Sequence, residues 1–260
     1  MMIKKIFVVP ALALFAAGAV ACKGGQAPAE APKAEAPAAA PAAAVPTEKG
    51  SVQVTVKFTG QAPKMRALPR EADPFCGKTK MNAEDVIVNA NGTLSNAVVQ
   101  VNGVPGTYTP TQASIDVSQD NCMYRPRVAV AMTGQEAQIH NKDQTMHNVH
   151  AYVGSETVMN QGQPQGAPPL PFKFENGAKI VKFTCDVHPW MTGYVVQNTT
   201  PFNGVTGQDG AAKIADVPVG TYKIQVWQET FGTKEVEVTV KANETASVEV
   251  AYDGTEKAGG

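Results

Sequence analysis

Cys185, His188 and Met191 fall in the stretch Phe183-Thr184-Cys185-Asp186-Val187-His188-Pro189-Trp190-Met191-Thr192-Gly193-Tyr194. A thiolate, an imidazole and a thioether on so short a segment can fold around one ion. About 40 residues earlier, Met146-His147-Asn148-Val149-His150 offers two more imidazoles. Calcium and magnesium prefer oxygen donors, which this set lacks. Zinc takes a tetrahedral set and has little use for Met. Two His and one Cys in a plane, with a weak axial Met, suit copper in both of its oxidation states. The competing interpretation is a buried thiol, a core Met and an unrelated His. It requires four suitable donors to coincide at workable spacing.

Which histidine pairs with the Cys185 loop follows from strand geometry. Residues three apart on a strand point to opposite faces. His147 and His150 therefore cannot both reach one ion. His147 opens the strand and is the expected ligand. His150 and His140 are expected to face solvent or to be held by ordinary hydrogen bonds.

The elements around these residues read as strands. Val52, Val54, Val56 and Phe58 alternate with polar residues and end at Gly60. Further runs are Val86–Val88 (stopped by Asn91-Gly92), Ala97–Val101, Ser114–Val117 and Arg127–Met132. They continue with Glu136–His140, Asn148–Val153, Ile180–Cys185 and Gly193–Val196. No helix-period segment exceeds about two turns, so the fold class is all-β, with strands short enough for a sandwich. From Thr199 a second unit begins, with turns at Gly207–Gly210 and Val217–Gly220. Its alternating triplets are Tyr222/Ile224/Val226, Val236/Val238/Val240 and Val248/Val250/Tyr252.

The amino-terminal 48 residues do not look like a fold. Lys4 and Lys5 precede an apolar run, Ile6 to Val20, too short to cross a bilayer comfortably, and Ala19-Val20-Ala21-Cys22 follows. This pattern fits a lipoprotein-type signal peptide over 1–21, with Cys22 as the lipidated residue. Residues 27–46 hold 11 Ala and 5 Pro. Such a composition cannot bury a core, so 22–48 is expected to be a tether.

The chain resembles the cupredoxin (blue copper) family from about Gly134 to Gln197. The residues that carry the likeness are His147-Asn148-Val149-His150 and Cys185-x2-His188-Pro189-Trp190-Met191-x-Gly193. The two-residue gap before Met191 is that of the amicyanins, and plastocyanins have a longer one. The resemblance implies a Greek-key β-sandwich over 49–198, with an amino-terminal extension that matches nothing in the family closely. It implies one copper ion held by His147, Cys185, His188 and Met191. It also implies that Asn148 braces the ligand loop near the sulfur. His188 would break the surface within an apolar patch made by Pro189 and Trp190, where electrons enter and leave. Residues 199–254, with Gly-Gln-Asp-Gly and Val-Pro-Val-Gly-Thr-Tyr, resemble the carboxypeptidase regulatory-like, transthyretin-like β-sandwich. Residues 255–260 form a tail.

The remaining counts agree. An exported protein sits where disulfides persist, so Cys76 and Cys122 are expected to pair. A second metal site at that pair, with Met123 or His140, is the alternative. Lys+Arg total 22 and Asp+Glu 23, a net charge of -1, which leaves no basic excess for nucleic acid. Four His and four Cys are too few for a polynuclear copper enzyme. The expectation is a single-copper electron carrier in the periplasm or cell envelope. It would be membrane-attached only through its lipid and would exchange electrons with redox partner proteins, without being an enzyme. Copper delivery, buffering or sensing is one alternative, and an adhesive surface protein with structural copper is another.

Overall fold

The structure is a computed structural model, and it describes residues 45–258 except 176 and 178. The signal peptide, Cys22 and nearly all of the tether lie outside the described residues. Among those described, the regular structure is strand, apart from one 3-10 turn, η1 (Cys76–Lys78).

One group of strands surrounds the Cys185 loop. They are β3 (Ser114–Asp120), β4 (Met123–Arg125), β5 (Val128–Met132), β6 (Glu136–Asn141), β7 (His147–Val153), β8 (Glu156–Gln163), β9 (Leu170–Lys173), β10 (Lys179–Thr184) and β11 (Thr192–Asn198). They make two sheets, ordered β5-β11-β10-β7-β8 and β4-β3-β6-β9. Their core includes Val117, Ile139, Val149, Val181, Phe183 and Val195, all on inward positions of the alternating pattern.

The second group is β1 (Lys49–Phe58), β2 (Val98–Asn102), β12 (Asn203–Val205), β13 (Ala211–Pro218), β14 (Gly220–Gln228), β15 (Gly232–Val240) and β16 (Thr245–Tyr252). These form sheets β13-β1-β16 and β12-β2-β14-β15. Val52, Val54, Val56, Ile224, Val226 and Tyr252 are buried between them.

This arrangement corrects the expected division at residue 199. β1 pairs antiparallel with β13 and parallel with β16, while β2 pairs with β12 and β14. Residues 49–58 and 98–102 therefore complete the carboxy-terminal sandwich and do not extend the first one. The alternation in β1 shows one apolar face but cannot show which sheet receives it. The prior that chain neighbours pair favoured the wrong side. Val86–Val88 forms no strand, and only Val88 bridges to Leu94, around the turn at Gly92 (φ +76°).

A small seam joins the two sandwiches. Val98, Val128, Val196 and Trp227 are buried together, and Tyr194 meets Trp227 edge-on at 5.2 Å. Arg127 and Glu229 pair across it in bidentate fashion, at 2.6 and 2.7 Å, both nearly buried.

Candidate metal centre

β10 ends at Thr184, one residue before Cys185, and β11 begins at Thr192, one residue after Met191. The loop between is closed by the Met191 N–H donating to the His188 carbonyl at 2.9 Å. β7 lies beside β10, pairing His150 with Thr184, so the start of β7 falls next to Cys185. Gly193 allows a close approach here. A Cβ at that position would meet Tyr124 Cβ at 2.7 Å. Tyr124 in turn donates its hydroxyl to the Thr184 carbonyl at 2.9 Å, steadying the strand end that presents Cys185.

The structure brings His147, Cys185 and His188 together. Cys185 Sγ stands 4.0 Å from His147 Nδ1 and 3.7 Å from His188 Nδ1, and the two Nδ1 atoms are 2.9 Å apart. All three residues are buried. Donors about 2.0–2.3 Å from one ion in a shared plane stand about 3.5–3.8 Å apart. The sulfur–nitrogen separations are close to that range, and the nitrogen–nitrogen separation is shorter. Met191 is fully buried at the end of the loop, in the same core as Cys185.

Asn148 sits where the loop must be held. Its N–H points to Cys185 Sγ at 3.5 Å, and its side-chain oxygen accepts from the Asp186 N–H at 2.6 Å. Its amide nitrogen donates to Asp186 Oδ2 at 3.0 Å. Burial disfavours the Cys185 thiolate. His147, His188 and the Asn148 N–H outweigh that and bring the thiol down to about 6. His147 is raised overall. Burial opposes its charged form, but Asp143 and Cys185 favour it more strongly.

His150 lies away from the cluster, on the other side of β7. Its ring stacks on Tyr152 at 4.1 Å, with Nδ1 2.8 Å from Asp186 Oδ1 and Nε2 3.0 Å from the Thr157 hydroxyl. His140 is at the surface beside Asp116, at 3.3 Å. Cys76 and Cys122 are joined as a disulfide, so neither serves a second metal site.

The expected exposure of His188 is corrected. Its residue is only 1% exposed. The segment Asp73–Lys78 lies over its outer nitrogen, with Asp73 Oδ2 at 3.2 Å and Cys76 Sγ at 3.7 Å from Nε2. The disulfide fastens this strap to Cys122. Pro189 is exposed and Trp190 is half-buried. The Trp190 ring lies 5.1 Å from the His188 ring, and its Nε1–H donates to the Cys122 carbonyl at 3.1 Å.

Three residues at the centre escaped sequence reasoning: Asp73, Asp143 and Arg70. Asp143 precedes His147 by four residues, an offset that could have marked it as a partner. Asp73 and Arg70 lie far off in sequence and carried no such signal.

The chain matches no protein-family model and no curated protein. Solved structures similar to it are copper proteins of the cupredoxin kind. One is a reduced mutant of amicyanin, 17% identical, spanning 38% of this chain and 98% of that chain at a TM-score of 0.30. Another is a purple cupredoxin from Nitrosopumilus maritimus, 21% identical over 34% of this chain and 100% of that one, with a TM-score of 0.29. The Cu-containing nitrite reductase NirK from Thermus scotoductus SA-01 is 15% identical, covering 38% of this chain and 25% of that chain at 0.30. These scores are low, and what the site can do rests on its own donors.

Proposed function

We propose that the chain is a single-copper electron carrier, in which His147, Cys185, His188 and Met191 would hold the ion. The observation that supports this most is the convergence of one sulfur and two Nδ1 atoms in a buried pocket. The donor set suits copper in either oxidation state better than zinc or an oxygen-seeking cation. Copper bound there would supply one-electron exchange between Cu(I) and Cu(II).

The protein's own residues do the rest. Asn148 ties the β7 start to the ligand loop, which limits ligand movement between the two states. Burial keeps water from Cys185. His188 is covered, so the proposed route outward runs through Trp190 to the face at Pro189. The chain transforms no substrate in this reading. Its partners are redox proteins meeting that face. Export, with Cys22 lipidated and the head held off a bacterial membrane by the tether, is proposed from the leader sequence alone.

The test is an optical and spin-resonance spectrum of the copper-loaded protein. An intense visible thiolate-to-copper band that bleaches with reductant is expected, and Cys185→Ser should abolish it. Copper bound without such a band in the wild type would sink the carrier reading.

A further inference from the structure

Both histidines that face Cys185 are held from behind by a carboxylate. Asp143 Oδ2 lies 2.8 Å from His147 Nε2, and Asp73 Oδ2 lies 3.2 Å from His188 Nε2. Neither carboxylate is free to move. Asp143 also accepts the Asn121 and Cys122 N–H groups at 2.6 and 2.7 Å. Asp73 accepts the Phe75 and Cys76 N–H groups, each at 2.8 Å, and the Thr145 hydroxyl at 2.8 Å.

An ionised carboxylate can only accept hydrogen bonds. Each histidine must therefore carry a proton on Nε2, and when neutral it turns the Nδ1 lone pair inward. Two lone pairs 2.9 Å apart, beside a sulfur, repel unless a cation or a proton lies among them.

Arg70 is buried at 1% exposure, donates Nη2 to the Asn121 carbonyl at 2.6 Å, and is acted on by both Asp143 and Asp73. Its Nε and Nη1 have no partner among the described residues. Two carboxyl groups and one thiol line the centre against one guanidinium, a donor inventory that suits a dication. Asp186 lies outside this count because it is half exposed, paired with His150 and screened by solvent.

We propose that Asp73 and Asp143 are a matched pair of positioning residues that fix both inward nitrogens and weight the centre toward a divalent ion. The proposal rests on the reading that His147, Cys185 and His188 share one metal. A centre so weighted is harder to reduce than one without the carboxylates, so the chain would act as a donor of electrons more readily than as an acceptor.

The test compares the full chain with Asp73→Asn, Asp143→Asn and, as a control at the exposed His140 contact, Asp116→Asn. Nitrogen NMR of the metal-free protein reads the tautomers, and amide dispersion in the same samples reports folding. Both His147 and His188 should carry a proton on Nε2, whichever Nδ1 holds the proton shared between them, and Asp73→Asn should release that preference at His188 alone. Zn(II), a redox-silent dication, should bind about 10–100-fold more weakly to Asp73→Asn by chelator competition. The ratio of Cu(II) to Cu(I) affinity should fall in the same variant and stay unchanged in Asp116→Asn. A wild-type His188 without a proton on Nε2 would overturn the proposal. So would an Asp73→Asn protein with unaltered tautomers and an unaltered affinity ratio. A wild type that takes up no Cu(II) would overturn the electron-carrier reading instead, with the tautomer measurement still deciding how the histidines are held.

Discussion

His147 and His150 stand three residues apart on β7 and have separate surroundings. His147 has no exposed surface, one nitrogen toward Cys185 and the other against Asp143. His150 stacks on Tyr152 and pairs with Asp186 near solvent. His147→Ala should open the centre to added ligands such as imidazole or azide and weaken copper retention against a chelator. His150→Ala should leave copper retention unchanged and cost about 1 kcal/mol of stability, the scale of a solvent-near hydrogen bond or ion pair. Copper loss in both variants alike would refute the strand-face argument. The donors that converge, His147, Cys185 and His188, could be picked out from sequence because a strand end and a tight loop confine them to short spans. Asp73 and Arg70 could not, because they arrive on a segment more than 100 residues from the Cys185 loop that has neither alternation nor a repeat.

At the level of elements, the strap at Asp73–Lys78 and the two outer strands carry what periodicity missed. β8 is an edge strand paired only with β7 and exposed along most of its length, so it shows no apolar alternation. β9 is also an edge and contains Pro171, which is tolerated only where a ladder donor is not needed. The strands β3, β5, β6, β7, β10 and β11 each fall within about three residues of the run that marked them. The strap has no regular structure beyond η1, so its position depends on Cys76–Cys122 and on the bonds to Asp73. Replacing both cysteines by Ser removes a loop closure across a separation of 46 residues. The chain-entropy model puts the loss at no more than about 4 kcal/mol. Denaturant titration should show this destabilisation, and bound copper should pass to a chelator faster than from the wild type. An unchanged release rate would mean that the strap does not control access to His188.

The whole molecule is threaded more thoroughly than its sequence suggests. The chain leaves the carboxy-terminal sandwich after β1, covers the metal centre with its strap, and returns as β2. It crosses again for β3 through β11 and comes back for β12 through β16. Two modules in series divided near residue 199, as the turns and alternation of the last unit implied, would require no such crossings. Arg127→Ala should cost about 3–5 kcal/mol in urea titration, because Glu229 would be left buried and uncompensated at the seam. Deleting residues 199–260 removes both neighbours of β1 and both neighbours of β2. The product should be insoluble or lack a cooperative thermal transition, and a soluble, cooperatively unfolding, copper-loaded fragment would contradict this topology.

The parallel pairing of β1 with β16 aligns Ser51 with Thr245. Synthesis runs from the amino end, so β1, the first of the described strands to emerge, must wait for β16. Throughout that delay Val52, Val54 and Val56 have no completed sheet to enter, and both edges of β1 are open to strands of other molecules. The newborn chain is therefore most prone to aggregate before Thr245–Tyr252 arrives, and a factor that shields Val52 to Phe58 in that interval would raise the yield of folded protein.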